Sequence, residues 1–262
     1  MGIELIEKRF ALMGARVRIS EETRRNRAGI DIREDMEGEF FDIRIGENEK
    51  VEYEVVDLQA KMRHLLLLAR RENRKEKFLC GHDERHWFVC AVPGNGINNV
   101  VSAMEALQPL SVRWQARHKV KRAKNRFARR NEAFVRQGEW FFVPVDQLKV
   151  KETLIFRNEP ISRGNGSKPH FCEEVYRDGG VEVMVCSHYP RGVTLNAFNH
   201  FLKSNAEARK WDWKLMRQNA AVYVRGRVRH PDHKTIVLDG WHRVLMNREN
   251  EAPGMRSVVF LD

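Results

Sequence analysis

The spacing of apolar residues changes repeatedly along the chain, and each change marks an element. Leu5, Ile6, Phe10 and Met13 recur at helical spacing over residues 3–13, and Gly14 supplies a stop. Residues 15–19 then alternate as a half-buried strand does, whereas 20–36 are polar with no clear period. Extended segments are expected at 40–45, 51–57 and 64–69. The last holds the run Leu65 to Leu68 between charged flanks, the pattern of a central strand buried on both faces. Segments 77–80 and 87–92 flank a polar turn at 81–86 and predict a hairpin. A short helix over 97–107 stops before Pro109, and Ser111 is a good cap for a second helix that the spacing carries to about Asn131.

The second half reads as richer in strands. Residues 140–143 and part of 145–157 are extended, and 158–169 is a loop or linker containing Gly164 and Gly166. A hairpin is expected over 170–188, turning at Arg177 to Gly180. Thr194 caps a helix carrying Leu195, Phe198, Phe201 and Leu202, and a further helix holds Trp211 and Leu215. Segments 222–230 and 233–238 form a hairpin turning at Pro231 and Asp232, with 241–246 and 257–261 as closing strands. The fold class is therefore α+β, with mixed, largely antiparallel sheets, hairpins and a few helices, one of them long, basic and amphipathic. The change in pattern suggests a mixed α/β domain over 1–150 and a smaller β-rich domain over 151–262, with one large domain as the alternative.

Charge sharpens this picture. The 262 residues carry a formal net charge of +11. Between Lys61 and Arg136 stand 18 Lys and Arg against 6 Asp and Glu, while the rest of the chain carries 29 against 30. A basic block beside a neutral remainder is an electrostatic footprint for a polyanion. Four cysteines are too few for a disulfide scaffold, and Glu4, Glu7 and Lys8 rule out an apolar leader at the start of this sequence. No run is long enough to span a membrane, so a cytoplasmic protein without membrane contact is expected. Nothing in the pattern specifies an oligomer.

The block peaks between Arg113 and Arg130, with nine Lys or Arg and no acid. At 100° per residue, Val112, Ala116, Val120, Ala123, Phe127 and Phe134 fall on one stripe. Opposite lie Trp114, His118, Lys121, Arg122, Asn125 and Arg129, flanked by Arg117, Lys119, Lys124 and Arg126, with Arg113 and Arg130 at the ends. Such a helix packs its stripe on the domain and offers a cationic wall to phosphates. Trp114 and His118 suit stacking on an unpaired base, and Asn125 suits reading a base edge, which favours RNA or single strands. An acidic protein partner, or a plain solvated face, competes with that reading.

Histidines and cysteines form three groups. His82 and His86 stand at i and i+4, but Asp83 occupies the slot where a zinc protease needs Glu, and the flanks are strand-like, so a polar turn is the simpler reading. In the hairpin over 170–188, pairing Arg177 with Val181 would set Cys172 opposite Cys186 and His170 opposite His188 on one face. Those four are a Cys₂His₂ set for zinc, against the plainer reading of buried cysteines beside surface histidines. His230, Asp232 and His233, with His242 beyond, would join His82 and His86 in a metal-dependent nuclease only if their loops meet. No Walker loop, dinucleotide fingerprint, nucleophile elbow or CxxC occurs. The expectation is a nucleic-acid-binding module or subunit of a nucleoprotein assembly, with no catalytic residue assigned and no required cofactor. A metal-dependent hydrolase is the alternative, and a scaffold for an acidic protein a third reading.

Overall fold

The computed structural model describes residues 3–22, 29–46, 50–163 and 167–252. Ile6 and Phe10 of helix α1 (Ile3–Leu12), with Met13 just beyond it, are buried as their spacing predicts. They pack against a three-stranded sheet of β1 (Arg16–Glu22), β2 (Gly29–Asp35) and β3 (Gly38–Gly46), in which β1 runs parallel and β2 antiparallel to the central β3. β2 lies in the stretch that showed no period. Ile30 and Ile32 face the α1 core, while Asp31, between them on the opposite face, is buried 3.8 Å from buried Arg44 of β3.

Next comes an antiparallel meander of β4 (Glu52–Gln59), β5 (His64–Arg71), β6 (Arg74–Asp83) and β7 (His86–Ala91). The leucine run falls on β5 and is split between two cores. Leu65 and Leu67 join α1, Phe78 and Cys80 on one side. Leu66 joins Leu79 and helix α2 (Val100–Leu107), through Val100, Ala103 and Leu107, on the other. Leu66 is fully buried, so Leu66→Ala is expected to cost about 2–5 kcal/mol, read from urea unfolding with an unchanged m-value.

Asn99 and Ser102 form a capping box at the start of α2. Helix α3 (Leu110–Lys119) begins directly after Pro109, and no side chain caps it, Ser111 included. The long helix expected to reach Asn131 is not formed. α3 ends at Lys119, Val120 is extended, and a short 3₁₀ turn covers 123–127. Val112, Ala116 and Val120 reach a core with Ala133, Phe134, Phe141 and Val143. Past Val120 the stripe fails: Ala123 is exposed and Phe127 only half-buried. Continuing the helix would have stacked Lys121 and Arg122 on Arg117 and Lys119 of α3, and Lys124 and Arg126 in turn on Lys121 and Arg122, at i+3 and i+4 with no acid to offset the repulsion.

The remaining strands are β8 (Val135–Gln137), β9 (Trp140–Pro144), β10 (Ile155–Ile161) and β11 (His170–Asp178), then β12 (Val181–Cys186), β13 (Tyr189–Thr194), helix α4 (Leu195–Ser204), β14 (Lys214–Gln218), β15 (Ala221–Arg229) and β16 (Ile236–Met246). An antiparallel six-stranded sheet has the order β10-β11-β15-β16-β9-β8, drawing strands from both sides of residue 150. Phe142, Cys172, Val175, Val224 and Val228 form its core on one face, while Phe141 and Val143 meet α3 on the other. β12, β13 and β14 make a separate small sheet, ordered β13-β12-β14 and covered by α4, which Thr194 caps as expected.

Two readings of this half change. β11 and β12 adjoin in sequence but pair in different sheets, so the expected hairpin over 170–188 does not exist. The segment of Trp211 and Leu215 is not a helix. Leu215 lies in β14, and Trp211 and Trp213 pack with Tyr189, Phe198 and Phe201. The segment 257–261 and the pair Gly164 and Gly166 lie outside the described residues. The chain is thus a mixed α/β protein with mostly antiparallel sheets, and no described helix is long and apolar enough to cross a membrane.

Candidate metal centre and basic face

Strand register brings the first two residues of the centre together. Phe171 pairs with Arg229, so His170, which opens β11, and His230, just past β15, are the next facing pair outward. The chain then folds back toward β16 and brings His233 to the same spot. Ring centroids lie 4.2 Å (His170–His230), 4.6 Å (His230–His233) and 5.7 Å (His170–His233) apart. One nitrogen from each ring lies within 4.8 Å of the other two.

The loop is tied down on several sides. Gln137 Nε2 donates to the carbonyls of Val228 (3.3 Å) and Lys234 (2.8 Å). The Lys234 amide donates to Glu84 Oε2 at 2.7 Å, and Lys168 Nζ lies 3.0 Å from Asp232. The Asp232 amide donates to His230 Nδ1 (3.1 Å), whose Nε2 lies 3.3 Å from the Lys168 carbonyl. Facing the imidazoles is Gly138, in the β8–β9 turn with φ +56°. A Cβ there would lie 2.8 Å from His233 Nε2 and 3.5 Å from His170 Nε2, so both nitrogens converge on space that only glycine leaves open.

His170 is 1% exposed, and among the described residues neither of its ring nitrogens has a hydrogen-bond partner. Burial, reinforced by His230 and His233, pushes its pKa down to about 3. Burial and His230 lower that of His233 too, against the opposing pull of Glu84, whose Oε2 is 3.7 Å from Nδ1. Both rings are neutral, the form whose lone pair a metal takes. Burial alone would raise the Asp83 carboxyl, but Arg136 and Arg129 outweigh it and hold it below the usual range. At Asp232 burial is likewise outweighed, there by Lys168. A cavity of about 680 Å³ adjoins the centre, lined by His233, Asp83, His86, Arg136, Lys168 and Asp232 among others.

This centre combines residues that the sequence placed in separate groups. His170 belonged with Cys172, Cys186 and His188, but Cys172 lies in the core of the six-stranded sheet and Cys186 is buried in β12. His188 stacks on Trp211 at 4.1 Å. The Cys₂His₂ set is therefore not assembled, because its two halves sit in different sheets. His230, Asp232 and His233 do meet the hairpin tip of Asp83, Glu84 and His86, while His82 packs edge-on against Trp87. Sequence reasoning passed over Gln137, Gly138 and Glu84. Their only signals were an acidic pair at a predicted hairpin tip and one glycine before a strand.

The basic segment runs up to this centre. Arg129 Nε donates to Asp83 at 2.8 Å and Nη1 lies 2.5 Å from Glu84, while Arg136 is 3.0 Å from Asp83. Arg117 pairs with Glu105 at 2.9 Å. Among the described residues, no carboxylate pairs with Arg113, Lys119, Lys121, Arg122, Lys124, Arg126 or Arg130. Arg126 and Arg130 reach only the carbonyls of Val120 (3.4 Å) and Val237 (2.8 Å). Trp114 is 61% exposed and stacks on His118 with centroids 4.1 Å apart. Asn125 is exposed on the same segment. Comparison with protein-family models, with curated proteins and with solved structures finds no match for the chain, so its function is read from these residues alone.

Proposed function

We propose that the protein binds nucleic acid along residues 113–130, with RNA or single strands preferred over duplex, as a binding module or subunit of a nucleoprotein assembly. The observation that carries this reading is the set of seven cations on one short segment that no described carboxylate answers. Crowded like charges repel one another, and a chain of phosphates relieves that repulsion while releasing condensed counterions. The exposed Trp114–His118 stack favours nucleic acid over an acidic protein, since it offers a flat apolar surface to an unstacked base. Arg117 and Arg129 take no direct part, because Glu105, Asp83 and Glu84 already neutralise them.

Fluorescence anisotropy tests the proposal, using a labelled single strand, a duplex of the same sequence and a polyglutamate peptide across a salt series. Five to seven phosphate contacts give a log–log salt slope of about −3.5 to −5 on the single strand. Tighter binding of the peptide than of either oligonucleotide would replace this reading with an acidic protein partner.

A further inference from the structure

We propose that His170, His230 and His233 hold a divalent transition metal of the zinc class, in an open site whose bound water hydrolyses phosphodiesters. The metal site stands on its own geometry, whereas the choice of phosphodiester rests on the nucleic-acid reading above. Three imidazoles with no thiolate or carboxylate among them suit zinc and its neighbours, and not calcium or magnesium, which require oxygen ligands.

Two independent features point to a ligand. His170 is 1% exposed with both ring nitrogens unpartnered among the described residues, a state that is costly for a buried polar group. A metal ion takes up the ring's single lone pair, and the other nitrogen keeps its N–H. Gly138, in turn, leaves empty the point on which Nε2 of His170 and of His233 converge. Zinc–nitrogen bonds of about 2.0–2.1 Å in a tetrahedron set ligand nitrogens roughly 3.4 Å apart. From a starting separation within 4.8 Å, small ring rotations close that gap. His230 exchanges the Asp232 amide at Nδ1 for the metal, while its Nε2–H keeps donating to the Lys168 carbonyl. Glu84, 3.7 Å from His233 Nδ1, stands where a carboxylate fixes the tautomer of a ligating imidazole.

Among the described residues no fourth His, Cys, Asp or Glu joins the group, and the neighbouring cavity reaches His233. Three protein ligands and a water make a catalytic rather than a structural zinc site, and the metal brings that water's pKa to about 7. The bound hydroxide oxygen forms a bond to phosphorus as the ester P–O bond breaks. The leaving oxygen takes up the proton that the water has released. One water is consumed and no electrons are transferred. Arg129 joins the basic segment to the hairpin tip beside the centre, so a strand lying on that segment passes close to the metal.

The test uses the full chain, stripped with a chelator and reloaded with zinc. Elemental analysis after dialysis measures the metal, and two substrates report hydrolysis: a labelled single-stranded oligonucleotide and bis(p-nitrophenyl) phosphate. One zinc per chain and cleavage of both substrates are expected. His170→Ala and His233→Ala should lower zinc affinity by at least about 100-fold, while His188→Ala, in the β12–β13 turn, should not. Circular dichroism checks folding, and half-buried His230→Ala replaces His170→Ala if the latter unfolds. A folded wild-type chain that takes up no stoichiometric metal overturns the proposal and leaves three packed neutral imidazoles. Metal uptake with neither ester cleaved overturns the hydrolytic assignment. Cleavage of the small ester alone upholds the metal centre and removes nucleic acid as the substrate.

Discussion

Replacing Lys119, Lys121, Arg122 and Lys124 together by glutamate is expected to weaken single-strand binding about 1,000-fold at roughly 0.1 M salt. The log–log slope should flatten by about 3, since each lost phosphate contact removes about 0.7 from it. All four side chains are exposed and none pairs with a described carboxylate, so the change removes charge without leaving a buried partner stranded. Their apolar neighbours Val112, Ala116 and Val120 point into the core and are untouched. Only Lys119 lies in the last turn of α3, where a negative charge opposes the helix dipole at a cost of some tenths of a kcal/mol. Thermal unfolding should therefore shift little while affinity collapses. Arg129→Glu should do the reverse, because it sets a third negative charge against Asp83 and Glu84 and destabilises the fold. Affinity of the fourfold variant within threefold of wild type would remove residues 119–124 as the contact surface.

How much of this was legible depended on whether the deciding contacts were local. The leucines of β5 announced a doubly buried strand because both of its faces are apolar, and the structure fills both faces. The basic segment was legible as charge but not as shape. Helical periodicity from Val112 to Phe134 reflected two separate reasons for burial, a true helix face as far as Ala116 and Val120, and a returning turn at Phe134 that reaches the same core by another route. β2 escaped because only Ile30 and Ile32 mark its inward face, and the charged residues around them, Asp31 buried beside Arg44 among them, hide so short an alternation. The metal centre was the least legible part. Its residues were each visible, but the grouping assumed that neighbours in sequence pair. His170 instead pairs toward His230, across about 60 residues, since β12 to β14 fold out as their own sheet between the two strands. Register across that gap is set by Cys172, Val175, Val224 and Val228 packing in one core, a match that no local pattern reveals.

Gly138→Ala should separate the imidazole centre from the fold that carries it. At φ +56° an alanine costs about 1–2 kcal/mol, which lowers the melting temperature by roughly 2–4 °C per kcal/mol in a chain of this size. The protein should still fold, since non-glycine residues do occupy this region in turns. Zinc affinity, by contrast, should fall by about two orders of magnitude. The new methyl would lie 2.8 Å from His233 Nε2 and 3.5 Å from His170 Nε2, in the space where the metal sits, and His233 must swing away to admit it. Gly179→Ala is the matched control. It carries the same kind of backbone penalty, at φ +67° in the β11–β12 turn, with nothing within 4 Å of the added carbon. Both variants should melt a few degrees early, and only one should lose its zinc. Equal zinc retention in the two would mean that the gap beside Gly138 serves the turn alone and that the histidines bind no metal across it.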